Sequence, residues 1–192
     1  MKERLLLLSF LLFPVFYAFA QDQETVFEYS GLKLTGIWGG PAYGLTPLGE
    51  DNVFYRGGFG GLEFNKSLFI AYASYWLDER VTIPEYPNQR LDFSYKGALL
   101  SYAYRSHKTV HPKVSCLIGG GKIDLENEDD DNVFILQPSA GVEINVFKWW
   151  HIDILGGYRI VTNTDLVNLS DQTMSAFQAE VKLRFGISWG WR

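Results

Sequence analysis

From Phe177 to Arg192 the chain alternates without a break. The odd positions are Phe177, Ala179, Val181, Leu183, Phe185, Ile187, Trp189 and Trp191; the even ones are Gln178, Glu180, Lys182, Arg184, Gly186, Ser188, Gly190 and Arg192. A period of two held this long excludes a helix, whose apolar positions recur at three and four. It also outruns the strands of ordinary soluble sheets, which average about five or six residues. Whatever fold this chain adopts has to accommodate a long strand with one apolar and one polar face.

The same rule governs the segment before it. Trp150, Ile152, Ile154, Gly156, Tyr158 and Ile160 share one face, and His151, Asp153, Leu155, Gly157 and Arg159 the other. Leu136, Pro138, Ala140, Val142, Ile144 and Val146 alternate with Gln137, Ser139, Gly141, Glu143 and Asn145. Pro138 has no N–H to give a ladder, so a bulge or a missing bond is expected there. A two-residue turn at Asn65-Lys66 predicts Phe64 opposite Ser67, Leu62 opposite Phe69 and Arg56 opposite Tyr75, with Glu63 on the other face. Eight strands are predicted, at about 32–40, 53–64, 67–77, 90–104, 113–122, 133–146, 149–161 and 174–191. In the fourth, Leu91, Phe93, Tyr95, Gly97 and Leu99 form the expected outer face, and a bulge is needed to bring Tyr102 and Tyr104 onto it.

The connections alternate in length. Those near Asn65, Ser106 to Pro112, and Phe147-Lys148 are short; those near Tyr43 to Asp51, Asp78 to Gln89, Ile123 to Asn132 and Thr162 to Gln172 are longer and more polar. Phe64, Phe69, Phe147, Trp149, Trp150, Trp189 and Trp191 lie beside the short turns or the C-terminus, and Tyr43, Tyr75 and Trp76 beside the longer loops. Two aromatic girdles, apolar outer faces and long–short loop order are the marks of a β-barrel crossing an outer membrane. A soluble lipid-carrying barrel would reverse the faces.

Residues 1–20 read as an export signal. Lys2 and Arg4 precede an apolar run from Leu5 to Phe16, and Ala18-Phe19-Ala20 forms a small-x-small cleavage site. The mature domain is then 21–192, with 172 residues (192 − 20) and a formal charge that moves from −5 to −6 on loss of Lys2, Glu3 and Arg4. An acidic chain of this kind is not a nucleic-acid binder. The lone Cys116 precludes an intrachain disulfide.

Taken together, these features resemble the small outer-membrane β-barrel proteins of the outer-membrane protein A and X type. The likeness extends over the mature chain and is architectural. It implies an eight-stranded antiparallel up-and-down transmembrane barrel inserted by the barrel-assembly machinery, with outer-membrane lipid and lipopolysaccharide around it. In that family the last strand usually ends on an aromatic; here Arg192 follows Trp191.

The predicted inner faces hold five acids, Glu63, Asp92, Glu143, Asp153 and Glu180, and five bases, Lys33, Lys96, Arg159, Lys182 and Arg184. An eight-stranded lumen is just wide enough to be filled by side chains. Balanced charge there fits an ion-pair core, since a lone buried charge is costly. Glu143, Asp153, Arg159, Glu180, Lys182 and Arg184 are the expected members. Glu143 and Asp153 face each other across a turn and are expected to share Arg184 or Lys182; an acid–base pair is the competing use of two such carboxylates.

Other chemistry finds little footing. His107 and His111 fall in a polar turn, and His151 points inward with no neighbouring His-x-Ser pattern of a lipid A deacylase. Gly119-Gly120-Gly121-Lys122 lacks the spacing of a phosphate loop, and Gly57 to Gly61 lacks that of a dinucleotide fingerprint. The acidic run Asp124 to Asp131 lacks the Gly and closing Glu of an EF-hand and reads as a solvated loop, with a weak divalent-cation contact bridging lipopolysaccharide phosphates as the alternative. No cofactor or metal site is expected. The reading is a non-enzymatic envelope or surface-interaction protein, with a lipid-modifying enzyme or a narrow channel as alternatives.

Overall fold

The computed structural model describes residues 31–48, 51–79, 81–83, 86–125, 131–163 and 174–190. The expected signal segment, most of the acidic loop and the C-terminal Trp191-Arg192 lie outside them. The chain divides at Leu34, and Leu34–Arg192 forms one compact unit. Its strands are β1 (Leu34–Leu48), β2 (Asp51–Phe64), β3 (Leu68–Leu77), a short β4 (Val81–Ile83), β5 (Tyr86–Ala103), β6 (Val110–Leu125), β7 (Asp131–Phe147), β8 (Trp150–Thr162) and β9 (Ala176–Ser188). Within the ring of eight each strand pairs antiparallel with two neighbours, β3–β5 closing it, and β4 pairs only with β5 as an addition to that ring. Among the described residues the ring of eight is therefore paired all the way round, and only the short β4 keeps an unpaired side.

Faces in β7, β8 and β9 follow the sequence pattern. Gln178, Glu180, Lys182 and Arg184 are buried in the lumen, while Phe177, Val181, Phe185 and Ile187 are exposed on the wall. Glu143 faces Asp153 as expected, and the last pair shifts to Phe147 with Trp150, leaving a two-residue turn. At Pro138 the β7–β8 ladder skips from Leu136–Ile160 to Ser139–Gly157, the missing bond that Pro imposes.

Four expectations are corrected. First, Asn65 and Lys66 both take positive φ and Ser67 N donates to Phe64 O, but Ser67 is an extra residue. The ladder then pairs Phe64 with Leu68 and Glu63 with Phe69, one step from the predicted register. A one-residue slip reverses a strand, so Phe69 and Tyr75 lie in the lumen rather than in the girdles. Second, β5 is also reversed. Leu91, Phe93, Tyr95 and Leu99 are buried, Lys96 is exposed and Asp92 half-buried on the outer face; Tyr102 points outward with no bulge in the β5–β6 ladder. Third, β1 runs on to Leu48, so the segment from Tyr43 is strand rather than loop and only residues 49–50 separate it from β2. Fourth, Lys33 precedes β1 and is exposed.

A physical reason links the second and third. A barrel strand needs about 9–11 residues to cross the hydrocarbon, whereas β1, β5, β6 and β7 have 15, 18, 16 and 17. The surplus lies at the loop end. There the outward residues Ser94, Lys96, Lys122 and Asn132 are polar and exposed. The inward residues Leu48, Val53, Leu77, Leu91, Phe93, Ile123, Val133, Ile135, Val161 and Met174 form one buried apolar cluster. At the loop end of β5 and β6 the outer face thus turns polar over an apolar interior, while on β1 and β2 it stays apolar, with Leu45 and Phe54 exposed.

Gly lets large rings lie against this wall. A Cβ at Gly44 would overlap the ring of Tyr55, and one at Gly57 would overlap Tyr75. At the turn end Phe147, Trp149, Trp150 and Phe185 stack with centroids 5.5–6.3 Å apart, a ring cluster suited to the membrane interface.

Candidate functional site

Below the apolar cap the lumen becomes ionic, and its centre is Glu143, carried by β7 and only 3% exposed. Glu143 Oε2 accepts from Lys113 Nζ at 2.6 Å and from an Arg184 guanidinium nitrogen. Its Oε1 accepts from His151 Nδ1 at 3.1 Å, with His111 Nε2 3.4 Å away. Lys113 Nζ also reaches Asp153 Oδ2 at 2.6 Å, so one ammonium bridges the facing carboxylates. Four strands meet here: β6 brings Lys113 and His111, β7 Glu143, β8 Asp153 and His151, and β9 Arg184. Two acids and two bases balance, the condition under which buried charges are tolerated.

Aromatic faces support the cations. Arg184 lies 4.6 Å from the Phe69 ring centroid and 5.2 Å from that of Trp38, whose ring lies tilted against His151 at 4.3 Å. A guanidinium desolvated against rings gains electrostatically from their faces.

The other expected interior charges bond away from Glu143. Lys182 is directly across the ladder from Asp153, yet its Nζ lies 3.2 Å from Glu180 Oε2. Glu180 sits among Tyr55, Tyr75 and Tyr95. Arg159, fully buried, lies over Phe93 at 5.0 Å and donates through Nε to Met174 O at 3.2 Å. Glu63, at the turn end, accepts from Ser188 Oγ at 2.7 Å. The structure brings Glu143, Asp153 and Arg184 together and sets Arg159, Glu180 and Lys182 in a second layer.

Two participants were missed or misplaced by sequence reasoning. His111, expected in a wet turn, is 1% exposed, and its Nδ1 donates to Lys108 O at 3.0 Å. Lys113 takes the bridging role expected of Arg184 or Lys182. The signal was present: His111, Lys113 and Ser115 alternate with Val110, Pro112, Val114 and Cys116. The strand begins three residues earlier than predicted, and this hid the alternation. Asp92 and Lys96 leave the interior tally.

A scan against protein-family models finds no match, and a search of curated protein sequences finds none. Solved structures do match. Neisserial surface protein A superposes with a TM-score of 0.56 at 14% identity, covering 83% of this chain and 99% of that one. Ail, the attachment invasion locus protein of Yersinia pestis, solved with the heparin analogue sucrose octasulfate, gives 0.50 at 15%, covering 81% and 97%. The outer membrane protein OprG of Pseudomonas aeruginosa gives 0.50 at 8%, covering 83% and 98%. At such identities the likeness is one of fold, and it agrees with the eight-stranded transmembrane barrel that the sequence resembles.

Proposed function

We propose that this barrel resides in an outer membrane with its lumen closed, and that it works as a non-enzymatic envelope or surface-interaction protein through its loop end and outer wall. The observation that carries this reading is the plugged stretch of lumen from the ion pairs to the loop end, above a turn-end cavity of about 640 Å³ that reaches in as far as Trp38, Glu143 and His151. An apolar cap from Leu48 to Met174 overlies the Glu143–Lys113–Asp153–Arg184 pairs, whose side chains are 1–4% exposed. A conducting pore is better served by a wet lumen with an excess of one sign. The apolar outer wall supports the membrane location, because a soluble barrel turns that face inward. On this reading its partners are outer-membrane phospholipid and lipopolysaccharide, and the barrel-assembly machinery during insertion. Planar-bilayer recording of the purified wild type tests it: rare or no openings are expected at neutral pH. Stable, frequent openings would place a channel first.

A further inference from the structure

The outer wall carries a concavity of about 770 Å³. Its floor is made of small or ring-limited outward residues, Cys116, Pro138, Ala140 and Gly156, with the rings of Tyr102 and Phe177 towards its two ends. Tyr102, Val114, Ala140 and Gly156 are successive ladder partners, so the groove crosses the strands. Three strand spacings make it about 14 Å long, close to the roughly 15 Å that one leaflet contributes to a hydrocarbon core.

The groove has a direction. Leu68, which lines one end and is paired with Tyr102, is the first residue of β3 and sits at the turn end. Gly156 is six residues into β8 (156 − 150) and Phe177 eleven from the close of β9 (188 − 177), so the other end lies deeper in the wall. Three residues past Tyr102 in the chain, and outside the groove's own lining, the exposed Arg105 holds its guanidinium 5.2 Å from the ring of exposed Tyr104. A cation beside a ring at the interface, with an apolar trough leading into the wall, matches one amphiphile: an anionic head and a single extended chain.

We propose that this groove seats one acyl chain of a phospholipid from the leaflet at the turn end, with its phosphate at Arg105. The inference rests on the membrane-spanning reading above. In the orientation that places the longer loops outside the cell, that leaflet is the periplasmic one, built of phospholipid rather than lipopolysaccharide. A second copy of the barrel is a poor occupant, because its wall is as convex as this one.

Filling the floor tests the seat. A Cβ at Gly156 meets nothing nearer than Gln178 O at 4.0 Å, so Gly156→Leu adds bulk to the groove without disturbing the ladder. Ala140→Phe does the same one strand away. Wild-type mature protein, extracted from membranes in mild detergent and exchanged against phosphatidylethanolamine–phosphatidylglycerol vesicles, is weighed by native mass spectrometry. One retained phospholipid per barrel is expected. Retention should fall about tenfold or more in either filled variant, since several buried methylene contacts are lost. Arg105→Glu should reduce retention of phosphatidylglycerol. The gel-mobility shift of a folded barrel on heating confirms that each variant is intact.

Equal retention in the filled variants, a lipid A molecule in place of phospholipid, a dimer abolished by Gly156→Leu, or no lipid on the intact wild type would each overturn the seat. Failure of the membrane reading has a separate signature: the protein would not be recovered in the membrane fraction at all.

Discussion

Lys113→Met is the most informative single change, because one ammonium serves two carboxylates that the ladder holds face to face. Lys113 is 3% exposed and lies 2.6 Å from both Glu143 Oε2 and Asp153 Oδ2. Methionine keeps the length of the stem but leaves two acids against one base, Arg184, in a region shielded from water. Removing one partner of a buried pair costs about 3–5 kcal/mol, most of it the penalty of the stranded charge. The structure places the loss at the lower end, near 3 kcal/mol. Lys182 sits directly across from Asp153 and can turn to it from Glu180. For a chain of this size about 3 kcal/mol lowers the midpoint by roughly 6–12 °C. The assay is the temperature at which the folded, fast-migrating gel band converts to the slow one, checked by Trp fluorescence. Asp153→Asn in the same background restores charge balance. The double mutant should therefore recover at least about 1 kcal/mol relative to the sum of the two single changes. Effects that add within about 0.5 kcal/mol would refute the bridging role.

Three further outcomes are expected. Arg184→Ala, which strips Glu143 of its guanidinium, should destabilise the barrel by a similar amount and raise open probability in planar bilayers; an unchanged conductance trace would separate the ion pairs from lumen closure. Val181→Arg places a charge on the lipid-facing wall and should cost about 2–4 kcal/mol if Val181 lies near the bilayer midplane, read as loss of insertion into vesicles, and tolerance of the change would overturn the assignment of that face. Mass measurement of the mature protein from the membrane fraction should place its N-terminus at Gln21, and a mass that retains residues 1–20 would refute cleavage after Ala20.

How far the sequence could be read depends on what lies outside each strand. In β7, β8 and β9 the outer residues from Val142 to Ile187 face lipid, so apolar means outward and the inner charges are legible one by one. In the loop-end part of β5 the same rule returns the wrong answer. Ser94 and Lys96 face water, while Leu91, Phe93 and Tyr95 face a dry core, so apolar there means inward. Along a single strand the meaning of alternation reverses where the chain leaves the hydrocarbon. The apparent mismatch of Tyr102 and Tyr104 with Phe93 and Tyr95 was that crossing, not a bulge. The hairpin at Asn65 shows the complementary limit. Its turn residues were recognisable, but one extra loop residue, Ser67, moved the whole of β3 by a step, and no local propensity separates a two-residue loop from a three-residue one here. Glu143, Asp153 and Arg184 were found because they lie on strands whose neighbours are all lipid-facing. Lys113 was lost because its strand was started at the lysine itself, which removed the alternating residues before it. The lumen chemistry is therefore readable wherever the bilayer fixes the sign of the outer face, and it must be read with the opposite sign above it.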